Sequence, residues 1–74
     1  MSYFVLELQT INGVGSVLAT AYANKEDALT AAYSIASAAV KSTVDIHTVM
    51  CVNAFGFDVI PPIVADHQSN NEEK

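Results

Sequence analysis

The clearest hydrophobic periodicity in the chain runs from Asn24 to Lys41. At about 100° per residue, the polar side chains of this stretch share an arc of roughly 100°, and the rest of the circumference is apolar and rich in alanine. Asn24 can accept a hydrogen bond from the amide of Asp27, and Glu26 adds negative charge at the positive end of the helix dipole. The pattern predicts a helix over residues 24–41 whose apolar arc is wider than one sheet covers.

Two stretches before this helix have the composition of β-strands. Residues 3–10 alternate between two sides, and residues 15–23 are rich in β-branched, aromatic and small side chains. Asn12 and Gly13 between them favour a tight hairpin, because these residues tolerate a positive φ. We expect the first strand to turn three side chains toward the core, namely Phe4, Leu6 and Leu8. We expect the second strand to place its small side chains beneath the helix, namely Val17, Ala19, Ala21 and Ala23.

A third strand is predicted directly after the helix, over residues 44–53, and a short fourth strand over residues 57–60. Pro61 and Pro62 are expected to end the fourth strand, because proline cannot continue a sheet ladder. The strands and the helix therefore all lie within the first 65 residues.

The end of the chain has a different composition. From Asp66 onward the residues are polar or acidic, without the apolar surface needed to offset the entropy of ordering. His67 lies in this stretch and is expected to be inert. The prediction is one domain over residues 1–65, followed by a disordered acidic and polar tail over residues 66–74.

This order of elements predicts an α+β fold. The sheet is antiparallel, ββαβ or, with the short fourth strand, ββαββ, and one helix packs on one of its faces. The third strand is expected to lie antiparallel to the first, because the helix returns the chain to the end where the first strand finished. The uncovered face is then expected to expose apolar side chains, namely Tyr3, Val5, Leu18, Tyr22 and Val49. A second copy of the protein is predicted to cover such a patch.

The short length of the chain also favours assembly. A chain of 74 residues buries only about 60% of its unfolded surface, so its own core gives marginal stability. One cysteine cannot form an internal disulfide, and no cysteine and histidine spacing fits a zinc site. Oligomerisation, with a dimer favoured, is the expected source of added stability, and no cofactor is expected.

Charge and hydropathy limit the partners. Three basic residues against eight acidic ones give a net charge of −5, which disfavours nucleic acid as a partner, because phosphate binding depends on lysine and arginine. The apolar runs are too short to cross a bilayer, so no membrane partner is expected. The single cysteine and the lack of a cationic apolar segment at the N-terminus predict a cytoplasmic location.

Candidate chemistry is concentrated on the face predicted to be uncovered. If the first and third strands pair, Glu7 can orient His47 for general base work, or Cys51 can combine with the histidine as a nucleophile. A hydrogen-bonded polar pair within an interface is the favoured interpretation, and no catalytic, cofactor or metal residue is assigned. The interface or ligand candidates are Tyr3, Val5, Glu7, Tyr22, Tyr33, His47, Val49 and Cys51.

Several of these residues also carry a resemblance. Tyr3, Val5, Glu7, Gln9 and Thr10 are followed by a glycine-containing hairpin, an alanine-rich helix with a tyrosine, and His47 with Gly56 nine residues later. This pattern resembles a group of short phage and mobile-element proteins of Firmicutes whose typical start is Y-x-V-x-E-[IL]-Q-T. The chain differs from the group in a shorter hairpin and in lacking basic and aromatic residues near its end. The resemblance implies a phage or mobile-element setting and no particular mechanism, and it favours an accessory role.

Three functions remain open from the sequence. The first is a small accessory protein without catalysis, which acts as a homo-oligomer by binding a host or phage protein. The second is an oligomer that encloses and sequesters a small molecule, such as a signalling nucleotide, although only three lysines are available as cationic donors. The third is an enzyme that uses Glu7 and His47.

Overall fold

The computed structural model describes residues 1–68 of the 74-residue chain. The elements are β1 (Tyr3–Ile11), β2 (Val14–Tyr22), α1 (Lys25–Val40), β3 (Ile46–Asn53) and β4 (Ile63–Asp66). The four strands form one antiparallel sheet in the order β2-β1-β3-β4. The predicted α+β fold is confirmed, and β3 lies antiparallel to β1 as expected.

The hairpin between β1 and β2 closes on two residues. Asn12 and Gly13 have φ values of 53° and 80°, the left-handed conformation that a two-residue hairpin turn requires. Ile11 then lies opposite Val14, and the ladder continues without interruption to Tyr3 opposite Tyr22.

The N-terminus of α1 has the predicted cap. The Asp27 amide donates a 2.9 Å hydrogen bond to Asn24 Oδ1, and Asn24 Nδ2 donates in return to the Asp27 carboxylate at 3.1 Å. Glu26 and Asp27 lie in the first turn, near the positive end of the helix dipole.

The helix covers the face of the sheet opposite to the predicted one. Its alanines pack on β1 and β3, and the core cluster consists of Val5, Ala28, Ala32, Ala36, Val49 and Cys51. The predicted core side of β1, with Phe4, Leu6 and Leu8, is therefore wrong. The covered side of β1 includes the polar residues Glu7 and Gln9, so the more apolar side of the strand is the open one. Strand alternation thus shows which residues share a face without showing which face the helix covers.

The same correction applies to β2. Thr20 lies opposite Val5, and Tyr22 lies opposite Tyr3, so these β2 residues share the helix side with Leu18. The prediction that the small side chains of β2 lie beneath the helix is wrong. Leu18 itself is 56% exposed, because β2 is the outer strand of the sheet.

The fourth strand lies further along the chain than predicted. Asn53 Oδ1 accepts hydrogen bonds from the amides of Phe55 and Phe57, which fixes a turn immediately after β3. Within the predicted strand at 57–60, Asp58 forms only an isolated bridge with Val52. The regular pairing with β3 begins at Ile63, so the two prolines precede β4 instead of ending it.

The first residues of the predicted tail belong to the folded domain. Asp66 is the last residue of β4, and the His67 amide donates a 2.7 Å hydrogen bond to the carbonyl of Asp45. His67 Nε2 also lies 2.9 Å from the carbonyl oxygen of Ala39 at the end of the helix. The predicted boundary before Asp66 is too early, and the rest of the predicted tail, residues 69–74, lies outside the described residues.

Candidate functional site

The sheet face opposite the helix is formed mainly by apolar side chains, and we call it the open face. Strand register assigns its apolar members as Phe4, Leu6, Leu8, Val17, Ala19, Ala21, Ile46, Met50, Val52 and Val64. Thr10, Thr48 and, at the end of β4, the charged Asp66 share this face. Within residues 1–68, no helix or further strand packs on it.

Much of this apolar surface is accessible. Leu8 is 39% exposed, Val17 is 64% exposed and Val64 is 59% exposed, although Val52 at the centre of the sheet is buried by its neighbours. The exposed members lie on β1, β2 and β4, so the accessible surface extends across the whole width of the sheet. A contiguous apolar surface of this kind is typical of a site that another molecule covers.

The size of the open face can be compared with known interfaces. Four strands about 4.8 Å apart, each residue adding about 3.3 Å, give a projected area of roughly 500 Å². A stable interface takes roughly 800 Å² from each partner. The area of the open face is therefore of the same order as a protein contact. It is smaller than a typical stable interface, so a second contact can add to the buried area.

The covered face contains one buried polar pair. Glu7 Oε1 and His47 Nε2 lie 3.2 Å apart, with side chains that are 14% and 8% exposed. The two residues, which the sequence makes neighbours if the first and third strands pair, are therefore in contact, but on the covered face instead of the uncovered one. A carboxylate can orient an imidazole as a general base, yet here the imidazole is buried and has little surface for a substrate to reach.

The second ring nitrogen of the histidine adds a constraint. When Nε2 donates its proton to the Glu7 carboxylate, Nδ1 of His47 is left as an acceptor, and it has no hydrogen-bond partner among residues 1–68. The contact with Glu7 therefore satisfies one ring nitrogen of His47, and the other stays buried without a hydrogen bond in the described part of the chain, which costs free energy.

Cys51 is fully buried opposite Val5. Burial raises the pKa of its thiol above the ordinary value of 9.0, and the nearby charge of Lys25 opposes that shift in pKa. Because the thiolate is the reactive form, a buried and protonated thiol is a poor nucleophile. The structure thus favours Cys51 as a small apolar core residue.

The candidate residues from the sequence lie beneath or on the helix instead of on the open face. Val5, His47, Val49 and Cys51 are buried, and Glu7 is largely buried. Tyr3 and Tyr22 pack at the margin of the core cluster. Tyr33 lies on the helix and is 54% exposed, so it is the most accessible of the eight candidates.

The sequence predicts an uncovered face but on the wrong side of the sheet, and one signal could have identified the correct side. The buried stripe of α1 consists of Ala28, Ala32, Ala36 and Ala39. Alanines let a helix approach the sheet closely, so the side chains beneath it must be small. Val5, Val49 and Cys51 fit that space better than Phe4, Leu6 and Met50, which form the corresponding positions on the open face.

Comparison with protein-family models, curated proteins and solved structures gives no match for this chain.

Other features that could indicate a function are also absent from the part of the chain that the structure describes. Residues 1–68 contain no group of three histidine, cysteine, aspartate or glutamate side chains arranged to hold a metal ion. They enclose no detectable cavity. The described helix is not long and apolar enough to cross a membrane.

Proposed function

We propose that the protein acts through protein–protein interaction as a homo-oligomer without catalysis, and that the open face is buried between copies. The observation that carries this proposal is the apolar composition of the open face. Its charged residue, Asp66, lies at the margin of the face. Two copies of a chain with a net charge of −5 can approach through this face with little electrostatic repulsion.

The thin core of the monomer supports the same proposal. The largest fully buried side chains are Val5, Val49 and Cys51, and the helix contributes alanines. Full burial of a valine stabilises a fold by only about 1.5–3 kcal/mol. The larger apolar side chains of Phe4, Leu6 and Leu8 lie on the open face, so apolar surface that the monomer leaves unburied is available there to a partner.

The resemblance to short phage and mobile-element proteins supports an accessory role. The residues that carry the resemblance include Val5, His47 and Gly56, which lie in the core or in a turn. The shared pattern therefore reflects a similar fold. We propose a cytoplasmic protein whose assembled form binds a host or phage protein.

Light scattering after size-exclusion chromatography tests the assembly. The wild-type protein is expected to have a mass at least twice the 7.9 kDa of the single chain. Leu8→Glu places a charge on the open face and is expected to lower that mass. Val40→Glu is the matched control, because Val40 is exposed on the helix instead of the sheet, and it is expected to keep the wild-type mass. A wild-type monomer at micromolar concentration that unfolds cooperatively would contradict the proposal.

The enzyme hypothesis rests on one observation, the contact between Glu7 and His47. Both groups are largely buried beneath the helix, which favours a structural role. Native mass spectrometry of the protein taken from lysate tests the ligand-sequestering alternative. A bound small molecule would add mass to the oligomer, whereas the proposed function predicts masses that are simple multiples of the chain.

A further inference from the structure

The outer strand β2 is an unprotected sheet edge. It has nine residues, all exposed except Tyr22, and no charged residue or proline. Its ladder to β1 has no bulge. The edge strands of β-sheets are usually protected against pairing with another chain by charges, prolines, bulges or short length. The opposite edge has such protection, because β4 has four residues, includes Asp66 and follows Pro61 and Pro62.

The register of the hairpin determines which backbone groups of β2 are free. In a two-residue hairpin, the closing residues Ile11 and Val14 form a hydrogen-bonded pair, and such pairs alternate along the ladder. The same alternation, continued across the sheet, predicts that the backbone groups of Cys51 point away from β1, toward the β4 side. The Cys51 carbonyl does accept a 2.8 Å hydrogen bond from the Val59 amide on that side. By this alternation, the residues of β2 whose N–H and C=O groups point away from β1 are Gly15, Val17, Ala19 and Ala21.

We propose that β2 pairs antiparallel with β2 of a second copy, about a two-fold axis that passes through Leu18. This inference deepens the proposed function and rests on it in one respect, namely that copies of this chain associate. In this register Gly15 lies opposite Ala21 of the other copy, and Val17 lies opposite Ala19. Every outward N–H and C=O group of the strand then has a partner.

Neighbouring registers satisfy fewer of these groups. A two-fold axis through Val17 places Ala21 opposite Gly13 in the turn, and an axis through Ala19 places Gly15 opposite Ala23, beyond the strand. A register shifted by a single residue places residues whose N–H and C=O groups point away from β1 opposite residues of the other copy whose groups point toward its own β1. The self-complementary register is therefore specified by the length and the phase of β2.

The side chains also fit this register. Leu18 packs against Leu18 of the other copy, and Ser16 lies opposite Thr20, a pairing of hydroxyls that stabilises antiparallel strands. The two helices then lie on the same side of one eight-stranded sheet, and the two open faces join on the other side. The edge contact thus enlarges the open face without covering it, and the two contacts together build an assembly larger than a dimer.

Disulfide cross-linking tests the register. Leu18 forms a non-hydrogen-bonded pair across the proposed axis, where Cα atoms lie about 4.5 Å apart, within the range of a disulfide. We therefore expect Leu18→Cys to form a covalent dimer when it is treated with oxidised glutathione. Thr20→Cys is the matched control on the same strand and face, because its two Cα atoms would lie about 13 Å apart along the strands. The native Cys51 is buried and is present in both variants.

The outcomes of the cross-linking experiment are distinct. A covalent dimer that forms much faster with Leu18→Cys than with Thr20→Cys supports the inference. Equal rates for the two variants, or no cross-linking of Leu18→Cys, overturn it. Leu18 lies on the helix side, so packing through the open face does not bring its two copies together. Adding Leu8→Glu, which disrupts the open face, is expected to leave this cross-link intact. A failure of the edge pairing can therefore be distinguished from a failure of the contact through the open face.

A second variant tests the edge without a disulfide. Ala19→Pro removes an outward N–H group that does not bond to β1, so the hairpin is expected to fold while the edge loses its pairing. Ala19→Val retains the N–H group and is the control. The light-scattering mass is expected to fall for Ala19→Pro alone, with the circular dichroism of both variants unchanged. An unchanged mass for a folded Ala19→Pro variant would overturn the inference.

Discussion

The two faces of the sheet divide the apolar side chains by size. The covered face holds Val5, Val49 and Cys51 against a row of helix alanines, whereas the open face holds larger side chains such as Phe4 and Met50. A monomer that relied on its own core would be expected to bury the larger set. The difference indicates that helix packing fixes the fold with little buried area, and we propose that assembly supplies the remaining burial.

Neighbouring residues on β3 give the largest expected contrast between the faces. Val49 is fully buried and Thr48 lies on the open face. Val49→Asp places an unpaired charge in the core, which is expected to destabilise the fold by about 4 kcal/mol or more and so to unfold it. Thr48→Asp is expected to keep the circular dichroism of the wild type and to lower the light-scattering mass. A Thr48→Asp variant that keeps both the circular dichroism and the light-scattering mass of the wild type would contradict burial of the open face between copies.

The polar pair on the covered face gives a smaller effect. Glu7→Leu leaves His47 without its partner, and His47→Leu leaves a largely buried carboxylate alone, so each is expected to cost roughly 1–3 kcal/mol in urea unfolding. The double variant replaces both polar groups by apolar ones and is expected to cost less than the sum of the two single changes. Strict additivity in this cycle would mean that the two groups do not interact.

The smallest expected effect is a pH dependence from Cys51. Burial raises the pKa of the thiol in the folded state above 9.0, so above about pH 8 the folded protein retains protons that the unfolded chain loses. The free energy of unfolding should therefore fall as pH rises through the ordinary thiol pKa and toward the folded one. Cys51→Ala removes the contribution of the thiol to this pH dependence, while the other titratable groups remain. Identical pH slopes for the wild type and Cys51→Ala would contradict the burial of the thiol on the covered face.

The sequence was sufficient for the local structure of the domain. Helix periodicity and the Asn24 cap located α1, and Asn12 with Gly13 located the hairpin, because each of these signals acts over a few residues. The contact between Glu7 and His47 followed from antiparallel pairing of β1 with β3. These features depend on spacing along one or two elements.

The assignment of the faces could not be obtained from the same pattern. The more apolar side of β1, with Phe4, Leu6 and Leu8, is the open one, so choosing the covered side requires the helix position and the size of the side chains beneath it. The position of β4 was missed because Phe57 and Val59 have strand-forming side chains. The Asn53 side chain instead holds the chain in a turn there. The open face and the free edge of β2 are products of this tertiary arrangement.

The most direct test of the account is the solvent accessibility of matched valine methyl groups. Val64 on the open face is 59% exposed and Val40 on the helix is 64% exposed in the single chain, so a soluble paramagnetic agent should relax both groups similarly in a monomer. In the assembled wild-type protein we predict that the Val64 methyls are shielded and the Val40 methyls are not, and that Thr48→Asp restores relaxation at Val64. Equal relaxation of the two valines in the wild-type protein would contradict burial of the open face between copies.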